Sequence, residues 1–90
     1  NESVGEMNRE EVIGILKRDN PAAGMDLVCM YADCFTDYRE AADNIAKNGN
    51  IVAHPRTGSP IENPYIKVKA AAMAQLRKMA RLKNVEALWQ

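Results

Sequence analysis

Histidine, phenylalanine and tryptophan occur once each in these 90 residues, and cysteine twice. The single histidine, His54, has no cysteine or carboxylate cluster at ligand spacing around it, which argues against a zinc site. The five glycines are scattered, and none falls in a G-x-x-x-x-G-K-[ST] frame, so a phosphate-cradling loop is excluded. A nucleophile–base pair would have to bring Cys34 or a serine to His54 across the fold. His54 therefore reads as a loop residue and Cys34 as a small core side chain. The expectation is a non-enzyme without metal or cofactor. No apolar run approaches the ~18 residues of a membrane span and no signal-peptide pattern is present, so the chain is expected to be neither secreted nor membrane-spanning.

Cys29 and Cys34 stand about 140° apart on a helix turning 100° per residue, which points their side chains apart and disfavours an internal bridge. Two free thiols suit a reducing cytosol. The first residue is not Met, as expected of a trimmed or processed piece. A chain this short reads as one domain, 1–90, with a modest core, for which oligomerisation is a common remedy.

What is present is a sharp division of charge. The formal net charge is zero, yet residues 1–62 hold 6 Lys and Arg against 11 Asp and Glu, whereas residues 63–90 hold 6 against Glu86 alone. Such asymmetry fits a basic arm for an anionic partner, or head-to-tail pairing between subunits.

Hydrophobic periodicity predicts a mainly α fold. Residues 1–7 carry no pattern and are expected to fray. A short helix over 8–18 follows, with Asn8 as N-cap, Glu11 completing a capping box, and Val12, Ile15 and Leu16 as its apolar stripe. A long helix over 26–48 comes next. Taking Asp26 as 0°, Leu27, Tyr31, Cys34, Phe35, Tyr38, Ala41, Ala42 and Ile45 fall between about 60° and 180°. Asp33, Asp37 and Glu40 fall within about 40° of Asp26 and make an acidic stripe. Four acids in a line lack the six or more converging oxygens of a divalent-cation cage, so this is a solvated face or one for a basic partner.

Residues 49–62 read as a hairpin-like connection, with "RTGS" between two short extended segments and prolines at 55 and 60 limiting the pairing. Asn63 caps and Pro64 opens a second long helix, over 63–83. Its core face carries Tyr65, Val68, Ala72, Leu76 and Met79. Lys67, Arg77, Lys78 and Arg81 share an arc on the far side, with Ala70, Ala71 and Ala74 among them. Small residues would let those cations approach a phosphate backbone. Few aromatics accompany them, so base stacking is not expected. Lys69 and Lys83 fall on the apolar side and must snorkel. The tail, 84–90, carries Val85, Leu88 and Trp89 as an apolar end in need of cover. The predicted architecture is an antiparallel hairpin of two long helices joined by an extended loop or small β-hairpin, with a short N-terminal helix.

The ordered series "DLVCMYADCFTDYREAADNIAKNG", "NIVAHPRTGSPIENP", "YIKVKAAAMAQLRKMARL" resembles the phage terminase small subunit family, of the short type with two long helices. The matching residues are Asp26, Tyr31, Tyr38, Ala42, Gly49, Gly58, Asn63, Pro64, Ala72, Leu76 and Leu82, and the resemblance covers residues 26–83. The chain departs from the family after the second helix, where "KNVEALWQ" replaces a Gly-Leu-Thr-Pro type ending. The resemblance implies a non-catalytic component of viral genome packaging in the host cytoplasm of a phage or prophage. Its partners would be double-stranded viral DNA, a large subunit holding the ATPase and nuclease, and further copies of itself, in a ring or another homo-oligomer. Expected DNA contacts are Lys67, Arg77, Lys78, Arg81 and, at the loop tip, Arg56. Expected oligomer contacts are Tyr31, Phe35, Tyr38, Leu76, Met79 and Trp89. The alternative is a structural homo-oligomer or adaptor whose basic helix pairs with a neighbour's acidic helix.

Overall fold

The computed structural model describes residues 8–79, 82 and 85–89, the side chains of 86 and 87 excepted. Helix α1 spans Arg9–Asp19. Its start is fixed locally: the Asn8 side chain accepts from the Glu11 N–H at 2.9 Å, and the Glu11 carboxylate accepts from the Asn8 N–H at 3.0 Å. Asn20 closes the helix, its backbone N–H and its side-chain amide both donating to the Leu16 carbonyl. Lys17 then braces the turn into the next helix by donating to the carbonyls of Pro21 and Ala23, each at 3.0 Å.

Helix α2, Met25–Asn48, is the spine of the molecule. Its buried residues are Val28, Tyr31, Ala32, Phe35 and Ala41. Leu27, Cys34, Tyr38, Ala42 and Ile45 are half-buried. The apolar arc is thus wider than a helix with one partner needs. Val28 and Ala32, at about 200° and 240° on the wheel, extend it toward α1. Arg9 of α1 is ion-paired with Asp33, at about 340° on the same wheel. Two neighbours require two faces.

Gly49, at φ 88°, ends α2 and accepts the backbone conformation that a side chain resists. Strand β1, Ile51–Ala53, pairs antiparallel with β2, Pro60–Glu62, with Ile51 opposite Glu62 and Ala53 opposite Pro60. The loop between them closes on His54. Its N–H donates to the Ser59 carbonyl, its carbonyl accepts from Gly58, and its Nδ1 accepts from the N–H groups of Arg56 and Thr57 at 3.0 and 3.3 Å. His54 is a turn-forming side chain.

Pro64 already has helical dihedrals, and Asn63 accepts from the Tyr65 N–H at 2.9 Å, opening α3 at Tyr65–Lys78. The fold is the expected one: mainly helical, an antiparallel α2–α3 hairpin with a small β-hairpin at its tip and α1 in front.

The second long helix is shorter than its sequence pattern. It stops at Lys78, with Met79 out of helical geometry, and a 3-10 turn follows at Val85–Trp89. The reason is phase. Continued to 89, the helix would carry Val85, Leu88 and Trp89 to within about 60° of Lys67, on the solvent side. Folding back instead buries Leu88 completely and seats Trp89 against α2. Leu82 shares a surface recess with Leu27, while Trp89 meets Tyr38, so the chain reverses along α2. Burial of each large side chain stabilises by about 1.5–3 kcal/mol, far more than a further turn of exposed helix.

Candidate nucleic-acid interface

Lys67, Arg77 and Lys78 are all exposed on one side of α3, as are Ala70, Ala71 and Ala74 between them. Lys67 and Lys78 are separated by about 16 Å of helix, roughly half a turn of duplex DNA. None of the three has a carboxylate partner among the described residues; Arg77 meets only the sulfur of Met73, at 3.8 Å. Arg77 and Lys78 also lie in the last turn of α3, where cations complement the helix dipole, which is reason enough for two of the charges. Arg56 is exposed on the β-hairpin loop, at the same end of the molecule as Lys67 and the opposite end from Lys78. Arg81, and Lys83 on the expected apolar side, lie outside the described residues.

The acidic stripe lies along α2. Asp26, Asp33, Asp37 and Glu40 are all exposed, and among the described residues Asp33 alone of the four is paired, with Arg9. That contact raises the Arg9 guanidinium further above its ordinary range. Among the described residues no group of three or more His, Cys, Asp or Glu side chains is placed to hold a metal.

The residues expected at an oligomer contact sit elsewhere. Tyr31, Phe35, Leu76 and Met79 are interior to this chain, part of the core shared with Val12, Leu16, Val28 and Leu88. Their surface is already spent within one copy. Tyr38 is half-buried, and Trp89 keeps 37% of its surface. Among the described residues the other exposed large apolar side chains are Met25, Met30, Ile51 and Val68, with Ile51 the barest at 62%.

Spacing along the chain places no aromatic beside the basic arc, but the fold builds an aromatic cluster on the opposite side of α3. Trp89 meets Phe35 at 4.6 Å and Tyr38 at 5.2 Å between ring centroids, both edge to face. Its indole N–H donates to the Tyr31 hydroxyl at 3.3 Å. Burial pushes the Tyr31 phenol above its ordinary range, and the indole contact opposes this. Burial, with the charges of Asp37 and Asp33, likewise pushes the Cys34 thiol up. Lys69 snorkels as its position requires, its ammonium 5.7 Å from the Tyr38 ring centroid, and Arg39 lies 5.7 Å from that of Phe35. The phase break after Lys78 was the available signal for this cluster.

A family model described as phage terminase, small subunit, matches residues 7–82, which takes in α1, α2, the β-hairpin and α3. The chain belongs to that family. No curated protein and no solved structure matches it. The family places the chain in phage DNA packaging, and the 3-10 turn at Val85–Trp89 lies beyond the matched span. Among the described residues no helix is long and apolar enough to cross a membrane.

Proposed function

We propose that this chain is a non-catalytic, oligomerising small subunit that binds double-stranded viral DNA and regulates a large subunit carrying the ATPase and nuclease, in the host cytoplasm. The DNA contact is made by the outer face of α3, through Lys67, Arg77 and Lys78, with Arg56 as an outlying contact and Arg81 continuing the arc in sequence. The observation carrying this reading is that three cations on one exposed face have no counter-charge among the described residues, in a member of a packaging family. Exposed alanines between them leave the backbone open to a close approach.

Duplex binding measured by fluorescence anisotropy over a range of salt tests it. Each phosphate neutralised adds about 0.9 to the slope of log affinity against log salt, so replacing Lys67, Arg77 and Lys78 together by Gln flattens the slope by roughly 2 to 3. Salt-independent binding, or an unchanged slope in the triple variant, would overturn the assignment.

A second reading rests on Asp26, Asp37 and Glu40, which are exposed and also unpaired among the described residues. The basic face of α3 in one copy would then lie along the acidic stripe of α2 in the next, consistent with a net charge of zero. Light scattering separates the two. An oligomer that dissociates in high salt and does not shift DNA supports the second reading; a salt-stable one that shifts DNA supports the first.

A further inference from the structure

The side of α3 away from the basic face carries a second group of cations, and these border aromatic rings. Lys69 is about 160° around the helix from Lys67. It lies over Tyr38, Arg39 lies over Phe35, and Trp89 stands between those two rings. Neither cation has a carboxylate partner among the described residues. Asp43, one turn beyond Arg39, is engaged by Lys47 at 3.2 Å. Asp37 and Glu40 project at least about 100° around α2 from both Tyr38 and Arg39. Glu62 lines the recess beside Lys69 with no ion pair among the described residues, so near the rings two cations stand against one unengaged carboxylate.

We propose that this patch is a binding site for unpaired nucleotides, in which bases stack on Trp89 and Tyr38 while Lys69 and Arg39 meet the flanking phosphates. The indole is held before any ligand arrives: its N–H is fixed on the Tyr31 hydroxyl and its ring is wedged against two others. A ring already immobilised loses little side-chain freedom on binding. Trp89 nevertheless remains more than a third exposed, which leaves part of the indole open to a ligand. Aromatic faces beside cations are what single strands require, because every base offers a π-face once it is unstacked. A duplex hides those faces. The site thus differs in place and in ligand from the basic arc of α3, and it stands or falls separately from it.

Trp89 is the only tryptophan, so its emission reports on the site directly. The intact chain is titrated with a short oligothymidylate, with a duplex of the same length, and with an oligoglutamate peptide, at low and high salt. The expected result is quenching by the unpaired strand, weakening with salt at about 0.7 in slope per phosphate neutralised. Lys69→Gln combined with Arg39→Gln keeps the side-chain stems, and urea unfolding verifies that the fold is retained. That variant is expected to bind the unpaired strand roughly fivefold or more weakly, with duplex affinity unchanged. Absence of quenching at low salt would overturn the proposal. So would equal quenching by oligoglutamate, which would make the patch a site for acidic peptide. Loss of single-strand binding in the Lys67, Arg77, Lys78 variant, but not in the Lys69, Arg39 variant, would also overturn it by moving the strand to the other face.

Discussion

The side-chain amide of Asn63 donates to the side-chain oxygen of Asn44 at 3.0 Å, tying the entry of α3 to the C-terminal part of α2. The same amide donates to the Gly49 carbonyl at 2.9 Å, and the Asn63 oxygen accepts from Tyr65. Among the described residues Asn63 is the buried polar residue of the core, with 1% of its surface exposed, and both its amide N–H groups and its side-chain oxygen are engaged. Asn63→Ala removes a cap and leaves the Asn44 and Gly49 oxygens without this donor, for an expected loss of about 1–3 kcal/mol in urea unfolding. Asn44→Ala should cost less, because Asn63 keeps its other two partners. Equal losses would show that the cap, rather than the cross-link, is what matters least.

Two glycines should respond with opposite sign to the same substitution. Gly49 has φ 88° and ψ 177°, a region closed to side chains, so Gly49→Ala is expected to destabilise by roughly 1–3 kcal/mol. Gly14 lies within α1, is exposed, and has open space where a Cβ would be placed. Gly14→Ala should stabilise by about 0.5–1 kcal/mol. Thermal unfolding of the two variants decides; a shared sign would contradict the backbone argument.

Alkaline pH is expected to act through Tyr31. Its folded pKa is raised by burial, so its stabilising contribution is intact below the unfolded value of about 10 and is lost as pH rises through the folded value. Unfolding free energy should fall above pH ~10 in the parent and fall less steeply in Tyr31→Phe. At neutral pH that variant loses the indole hydrogen bond, about 0.5–1.5 kcal/mol.

The Arg9–Asp33 pair makes the reverse point. Both partners are exposed, so Arg9→Gln or Asp33→Asn is expected to change stability by less than ~1 kcal/mol. Leu16→Ala, in the same helix but in the core, should cost about 2–5 kcal/mol. If the ion-pair variants approach the Leu16 variant in urea unfolding, the α1–α2 contact is electrostatic rather than apolar.

Local chemistry was legible in the sequence. Asn8 with Glu11, Gly49, Gly58 and the Asn63–Pro64 junction act within a few residues of themselves, and each sits where its chemistry demands. What escaped depends on distant partners. Val28 and Ala32 lay outside an arc drawn for one neighbouring helix, and α2 has two. The end of α3 at Lys78 was hidden by good helix formers that continue past it, because burial of Leu88 and Trp89 overrides propensity. The aromatic cluster joins Tyr31 to Trp89 across 58 positions, a distance no spacing rule reaches. The basic face was readable as an arc, but that no described carboxylate pairs with it is a property of the fold.

The β-hairpin separates two kinds of tolerance to change. Beyond Ala53 and Pro60 the hydrogen bonds of the loop close within residues 54–59, so residues added there lengthen the tip and leave the helices undisturbed. One residue added between Glu62 and Tyr65 would instead rotate α3 by about 100°, carrying Leu76 off the core. Arg56 therefore stands on ground where a lineage of such proteins is free to diversify its contacts. Asn63 marks the point at which chain length is frozen.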